Sequence, residues 1–199
     1  MERFERRFIS PEYERGDYLN LKLNENSDYD IWEQALKIFE DRIQGRFFDS
    51  IKILIKDKNK NGFAVMALNC LLIETLQQFV DGVDTNDRSM NAYTNFLRRE
   101  LFDVFDTEEK AIMFYKNIRC GILHSAQTKN GSRLTFDTKY IIEIFDGNKI
   151  RVDVGNFSNR LWDYYKSYLE QLMQGNLFLR QNFIKKMNFI CRHKEEINS

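Results

Sequence analysis

Between Trp32 and Leu54 the apolar residues return at steps of three and four: Trp32, Ala35, Leu36, Phe39, Ile43, Phe47, Ile51 and Leu54. That spacing lays them along one stripe of an α-helix of about six turns. No helix breaker intervenes, because the chain's one proline is Pro11. A stripe of this length must be covered by other elements, so the chain is expected to fold as a helical bundle. Ser27 to Asp30 supply capping side chains for the start of this helix. Gly45 interrupts the stripe and marks a candidate bend. The polar run from Lys56 to Gly62 reads as a solvated loop.

A second helix is expected from Phe63 to about Val80. Ala64, Val65, Leu68, Leu72, Leu76 and Phe79 cover most of its circumference, so it should be central. Glu74 falls in its narrower polar arc. Two readings are open for that carboxylate: a rim position, or a partner for a half-buried arginine, with Arg119 the natural candidate. After a loop over 81–89, a third helix is expected over 90–104 with Tyr93, Phe96, Leu97, Leu101 and Phe102 inward. A fourth follows, with Asp106 and Glu109 as a capping box and Ala111, Tyr115, Ile118 and Ile122 inward.

The period then changes. Residues 133–137, 140–145 and 149–154 alternate, and Asp146-Gly147-Asn148 is hairpin-turn chemistry, so residues 132–154 read as a small antiparallel β-ribbon. A fifth helix is expected from Ser158 to about Met173. A last helical segment within 176–199 packs on the bundle or on a partner. Ahead of everything lies a polar arm, residues 1–27. Its alternating Leu19 to Leu23 could be a short strand or an extended packing segment. The fold class is thus all-α, a single domain of about five bundle helices with a β-ribbon insertion. Its 199 residues are enough for a sizeable core.

Basic and acidic residues number 30 each, which argues against whole-molecule steering toward nucleic acid. Charge is unevenly spread, however. From Lys110 to Phe136 there is no carboxylate, while Lys110, Lys116, Arg119, Lys129 and Arg133 are present. Such a strip suits a phosphate backbone. The bland reading is a set of cations offsetting the macrodipole at a helix end.

Within the strip stands Arg119, and five positions later His124, one of two histidines in the chain. An imidazole can take or deliver a proton near neutral pH. A guanidinium keeps its charge and can clamp a phosphate through two parallel hydrogen bonds. Attack of an RNA 2′-hydroxyl on the adjacent phosphate needs both services and no metal. Arg119 and His124 are therefore the candidate catalytic pair, Glu74 and Cys120 the supporting candidates, and Lys116, Lys129 and Arg133 the RNA-binding ones. No metal-ligand spacing or cofactor motif is present. Residues five apart on an α-helix point about 140° apart. The pair should therefore meet by a bend at Gly121 or through a second copy across a two-fold axis. The second is favoured, and it predicts a homodimer.

An arginine, four residues and a histidine, late in a helical bundle, resembles the motif of HEPN (higher eukaryotes and prokaryotes nucleotide-binding) domains. The element order is similar over about residues 28–175. The resemblance implies a metal-independent endoribonuclease acting as a dimer, a toxin or antiviral defence protein with an antitoxin or defence-system partner. It also leaves the alternative of a non-catalytic protein- or nucleotide-binding module. The residue after the arginine is usually polar in catalytic members; here it is Cys120. Some members carry a modified tyrosine two residues after the histidine; here that position is Ala126, so this regulation is not implied.

The remaining features read plainly. Cys70, Cys120 and Cys191 are widely spaced and suit free thiols in a reducing cytosol. The first residues lack a signal-peptide pattern and no run approaches the length of a membrane span, so a cytoplasmic protein without membrane contact is expected. His193 reads as part of a solvated basic tail.

Overall fold

The structure, a computed structural model, describes residues 8–83 and 89–192. It is mostly helical with one three-stranded sheet. The described residues divide into two compact units, one taking 8–50, 78–83 and 167–192, the other 51–77 and 89–166. His193 lies outside the described residues, as does most of the loop expected over 81–89.

In the first unit a short helix, α1 (Arg15–Asn20), is started by a reciprocal cap between Glu14 and Asp17. This corrects the extended reading of residues 19–23: Leu19 and Asn20 close the helix, and Lys22 has φ 49°, which no strand accommodates. The long first helix begins where expected, as α2 (Tyr29–Ile43) after Asp28. It continues through a π-helical turn, Gln44–Phe48, into α3 (Asp49–Leu54), whose residues from 51 on belong to the second unit. A π turn inserts one extra residue into the repeat. The buried stripe therefore steps five places, from Ile43 to Phe48, and Phe47 is left half-buried. Gly45 sits in this turn because Pro11 packs on it; a Cβ there would lie 2.5 Å from the proline Cγ. The core of the unit is aromatic. The Phe39 ring lies tilted against Phe79 at 4.5 Å and meets Phe183, on α9 (Leu177–Arg192), edge to face at 5.2 Å.

The second unit holds the rest. Helix α4 (Lys58–Asp81), of which residues up to 77 belong to this unit and the rest to the first, begins earlier than expected and absorbs most of the supposed loop. The Asp57 carbonyl accepts from the Lys60 and Asn61 amides, and Gly62 admits the ring of Phe136 against its backbone. Its stretch Lys60–Asp81 is long and apolar enough to cross a bilayer, against the expectation that no run is; 56% of its most apolar window is buried inside the protein, as in a core helix.

Helix α5 (Ser89–Glu100) stops short of residue 104. The chain turns there, so Phe102 is 69% exposed, contrary to its inward assignment, and Phe105 is buried instead. Next comes α6 (Glu108–Met113), a second π turn (Phe114–Arg119) and α7 (Cys120–Ser125), one continuous helical run. Its cap is Thr107, whose hydroxyl accepts from the Lys110 amide, and not Asp106. Asp106 instead pairs with the Lys110 ammonium at 2.7 Å.

Strands β1 (Arg133–Thr135), β2 (Ile142–Phe145) and β3 (Lys149–Asp153) form a sheet in the order β1-β3-β2. The β2–β3 hairpin turns at Asp146 and Gly147, both at positive φ, as the sequence implies. β1, however, lies parallel to β3, so the ribbon is mixed and not antiparallel. The β1–β2 connection passes the end of β3, where the carboxylate of buried Asp153 accepts from the Thr138 amide and hydroxyl and from the Asn156 amide. Helix α8 (Val154–Met173) follows directly. Phe114 stacks on its Phe157 at 5.1 Å, and buried Asn69 of α4 bonds Ser158 at 2.8 Å.

Candidate active site

Everything singled out for chemistry lies in the second unit. The π turn presents a wide buried flank, with Phe114, Tyr115, Asn117 and Ile118 all inside. Arg119 follows at its edge, facing α4. Its Nη2 donates to Glu74 Oε2 at 2.8 Å, and the two side chains are 13% and 24% exposed. Of the two readings left open for Glu74, the structure realises the arginine partner. Burial opposes the charge on Arg119, but the hydrogen bond and charge of Glu74 outweigh it, so its pKa stands above the usual arginine value. Its Cζ lies 5.3 Å from the Tyr115 ring centre. Its Nε is buried with no hydrogen-bond partner among the described residues.

The other terminal nitrogen, Nη1, stands 3.4 Å from Nε2 of exposed His124. A guanidinium only donates, so a hydrogen bond in this contact has Nε2 as its acceptor. The pair meets within one chain. That contact requires neither the bend at Gly121 nor the two-fold axis expected from the 140° angle. The angle describes Cβ directions. A long arginine stem and an imidazole in the last helical turn close the gap while α7 stays helical through Gly121.

Gly121 has a different role. A Cβ there would collide with the Gln127 carbonyl and crowd the backbone of Thr128 and Lys129. After Ser125 the chain reverses through Ala126 at φ 52° and folds back over the helix. The Lys129 amide donates to the Asn117 carbonyl at 2.8 Å. The Asn117 side chain accepts from Asn130 at 2.8 Å and donates to the Asn148 carbonyl at 3.2 Å. One buried amide thus ties the motif helix to the loop after His124 and to the β-hairpin turn. Sequence reasoning passed over Asn117. Its signal was a polar residue adjoining the inward stripe, and its partners were unknowable without the fold.

Behind the pair, burial pushes the Cys70 thiol up to about 12 and the Tyr93 hydroxyl well above its usual range; both feel the charge of Arg119. Cys120 is half-exposed. The RNA-binding candidates stand on three elements: Lys116 in the π turn, Lys129 in the returning loop and Arg133 on β1, all exposed. Among the described residues no three His, Cys, Asp or Glu side chains gather as metal ligands.

The arrangement offers a fixed cation, a neighbouring accepting imidazole and an open face. Compared with protein-family models, with curated proteins and with solved structures, the chain matches none.

Proposed function

We propose that this chain is a metal-independent endoribonuclease of the HEPN type, with Arg119 and His124 as its catalytic residues. The observation that carries the reading is the Arg119 guanidinium, held on one side by Glu74 and set on the other against the exposed imidazole of His124. A pair kept only for stability would be buried and bonded to backbone. This one has a solvent-facing histidine and bonds between side chains.

In the proposed reaction, RNA enters with one phosphate at Arg119 Nη1, displacing the contact with His124. Nε2 then accepts the proton of the adjacent 2′-hydroxyl. The 2′-oxygen forms a bond to phosphorus as the bond to the 5′-oxygen breaks, leaving a 2′,3′-cyclic phosphate and a 5′-hydroxyl. The charge growing on the phosphate oxygens falls on Arg119, whose direction Glu74 maintains. The departing 5′-oxygen takes a proton from solvent or from the imidazolium of a second copy in a homodimer. Work as a toxin or host-defence protein, restrained by an antitoxin or defence partner, belongs to the same reading, and so does a cytoplasmic location.

A second reading is favoured by one observation: Arg119 is already ion-paired with Glu74. That would suit a non-catalytic HEPN-like module that binds a protein or a nucleotide. RNA cleavage by the purified chain in excess EDTA, beside Arg119→Ala and His124→Ala, separates the two. Cleavage that both substitutions abolish supports the nuclease. Intact RNA after incubation with a folded wild type supports the module.

A further inference from the structure

The sheet's two faces differ in kind. Along the register, Leu134, Ile142, Ile144, Ile150 and Val152 share one face, which the buried Ile150 and Val152 turn inward. The other face carries Arg133, Thr135, Glu143, Phe145, Lys149, Arg151 and the buried Asp153. On it the half-buried ring of Phe145 is ringed by cations: Arg151 Cζ at 4.9 Å, Arg133 Cζ at 5.6 Å and Lys149 Nζ at 5.8 Å from its centre.

Stability does not call for this grouping. Arg133 and Arg151 are direct register partners, and like charges placed opposite each other on neighbouring strands are destabilising. Glu143 offsets Arg151 at 2.7 Å and Asp146 offsets Lys149 at 3.0 Å. Exposed Arg133 makes no ion pair among the described residues. Asp153 is buried and taken up by Thr138 and Asn156, so on the exposed part of the face Arg133 stays unmatched among the described residues, beside an aromatic ring. It is also tied to the motif helix, because Asn117, two residues before Arg119, donates to the carbonyl of Asn148 in the β2–β3 turn.

We infer that the Arg133–Phe145–Arg151 face of the sheet is a docking platform for single-stranded RNA running from the Arg119–His124 site. The inference rests on the nuclease reading and supplies its substrate class, an unpaired strand. An aromatic ring and guanidinium planes stack on unpaired bases, and duplex bases do not offer their faces. Arg133 contributes a charge free to meet a phosphate, and Arg151 adds a second planar cation beside the ring. Duplex RNA would gain only the charge contacts.

The test uses the full chain carrying His124→Ala, so that RNA stays uncut. A fluorescein-labelled mixed-sequence 12-mer and its duplex are titrated at several salt concentrations. The expected result is tighter binding of the single strand. Arg133→Ala and Phe145→Leu should each weaken that binding about 3- to 10-fold, and Arg133→Ala should lower the salt slope by about 0.7. Phe145→Tyr, which keeps the ring, should restore affinity. With His124 intact, the same variants should raise KM more than they lower kcat.

Should Phe145→Leu fail to fold, Arg133→Ala and Phe145→Tyr still decide the matter. Unchanged single-strand affinity and KM in folded variants would overturn the platform, and so would equal binding of the duplex. The nuclease reading survives those results if Arg119→Ala still stops cleavage. RNA that is bound through Arg133 and Phe145 but never cut keeps the platform and removes the nuclease. A parent protein that binds no RNA removes the platform and leaves an acidic protein partner as the occupant to pursue.

Discussion

Arg119 and Glu74, 45 residues apart in the chain, are joined Nη2 to Oε2 at 2.8 Å, which leaves Nη1 of the same guanidinium beside His124. The carboxylate neutralises part of the charge while fixing its direction. Glu74→Ala should therefore leave a half-buried cation unmatched. A stability loss of about 1–3 kcal/mol is expected in denaturant titration, with RNA cleavage down about 10- to 100-fold. Glu74→Gln keeps an acceptor for Nη2 and should recover part of both. Equal activity in all three proteins would remove Glu74 from the site.

For the pair itself, His124→Ala should lower kcat by about 100- to 10,000-fold and leave the melting temperature within about a degree, since the ring is exposed. Arg119→Lys keeps a charge but loses the planar fork, so most activity should be lost there too. Wild-type cleavage should be indifferent to EDTA. A His124→Ala protein that still cuts RNA at the wild-type rate would end the proposal.

The loop that returns over α7 holds the last turn, where His124 sits. Gly121→Ala drives a methyl into the Gln127 carbonyl and should cost about 1–3 kcal/mol. Asn117→Ala removes the bonds to Asn130 and Asn148 and should cost a similar ~1–3 kcal/mol. Both should reduce cleavage through loss of order after Ser125, seen as faster hydrogen exchange of the Lys129 amide, which donates to Asn117.

The thiols differ in access. Cys70 and Cys191 are buried, and the Cys70 thiol is pushed up to about 12, whereas Cys120 is half-exposed. Only the thiolate reacts. A disulfide reagent at pH 8 should therefore label one of the three thiols in the native protein quickly and the others only on unfolding. Cys120→Ser should abolish the fast phase.

Arg160 and Asp103 form a two-point ion pair, with contacts at 2.8 and 2.7 Å. The hydrogen bond from Arg160 holds the Asp103 carboxyl below the usual carboxylate range. A depressed acid contributes stability above its unfolded pKa of about 3.9, and that contribution fades as pH falls through the lower folded value. Arg160→Gln should lower the melting temperature by a constant amount above about pH 5, and the gap to wild type should close below about pH 4. A gap that widens in acid would contradict the assignment.

Much of this protein is legible without its fold. Three- and four-residue spacing located the helices, because an α-helix repeats every 3.6 residues wherever it occurs. Asp146-Gly147 located its turn, because only certain residues tolerate positive φ. Residue chemistry and helix angle singled out Arg119 and His124 as candidates and left the Arg119 partnership as one of two readings for Glu74. All of these are properties of short stretches, set by backbone geometry and side-chain type.

Other features depended on what lies nearby in space. The first π turn shifts the buried register at Phe48, and packing of Pro11 on Gly45 accompanies it. Phe102 is exposed and Phe105 buried because the chain leaves helix after Glu100. β1 runs parallel to β3, with the loop that follows it fastened by Asp153, and strand direction leaves no mark on an alternating pattern. The Arg119–His124 contact was judged from Cβ directions, and the length of the arginine side chain decided it. Local periodicity is written along the chain. Which loop covers Gly121, and which amide ties Asn117 to Asn130 and Asn148, is settled only when distant segments compete for the same space.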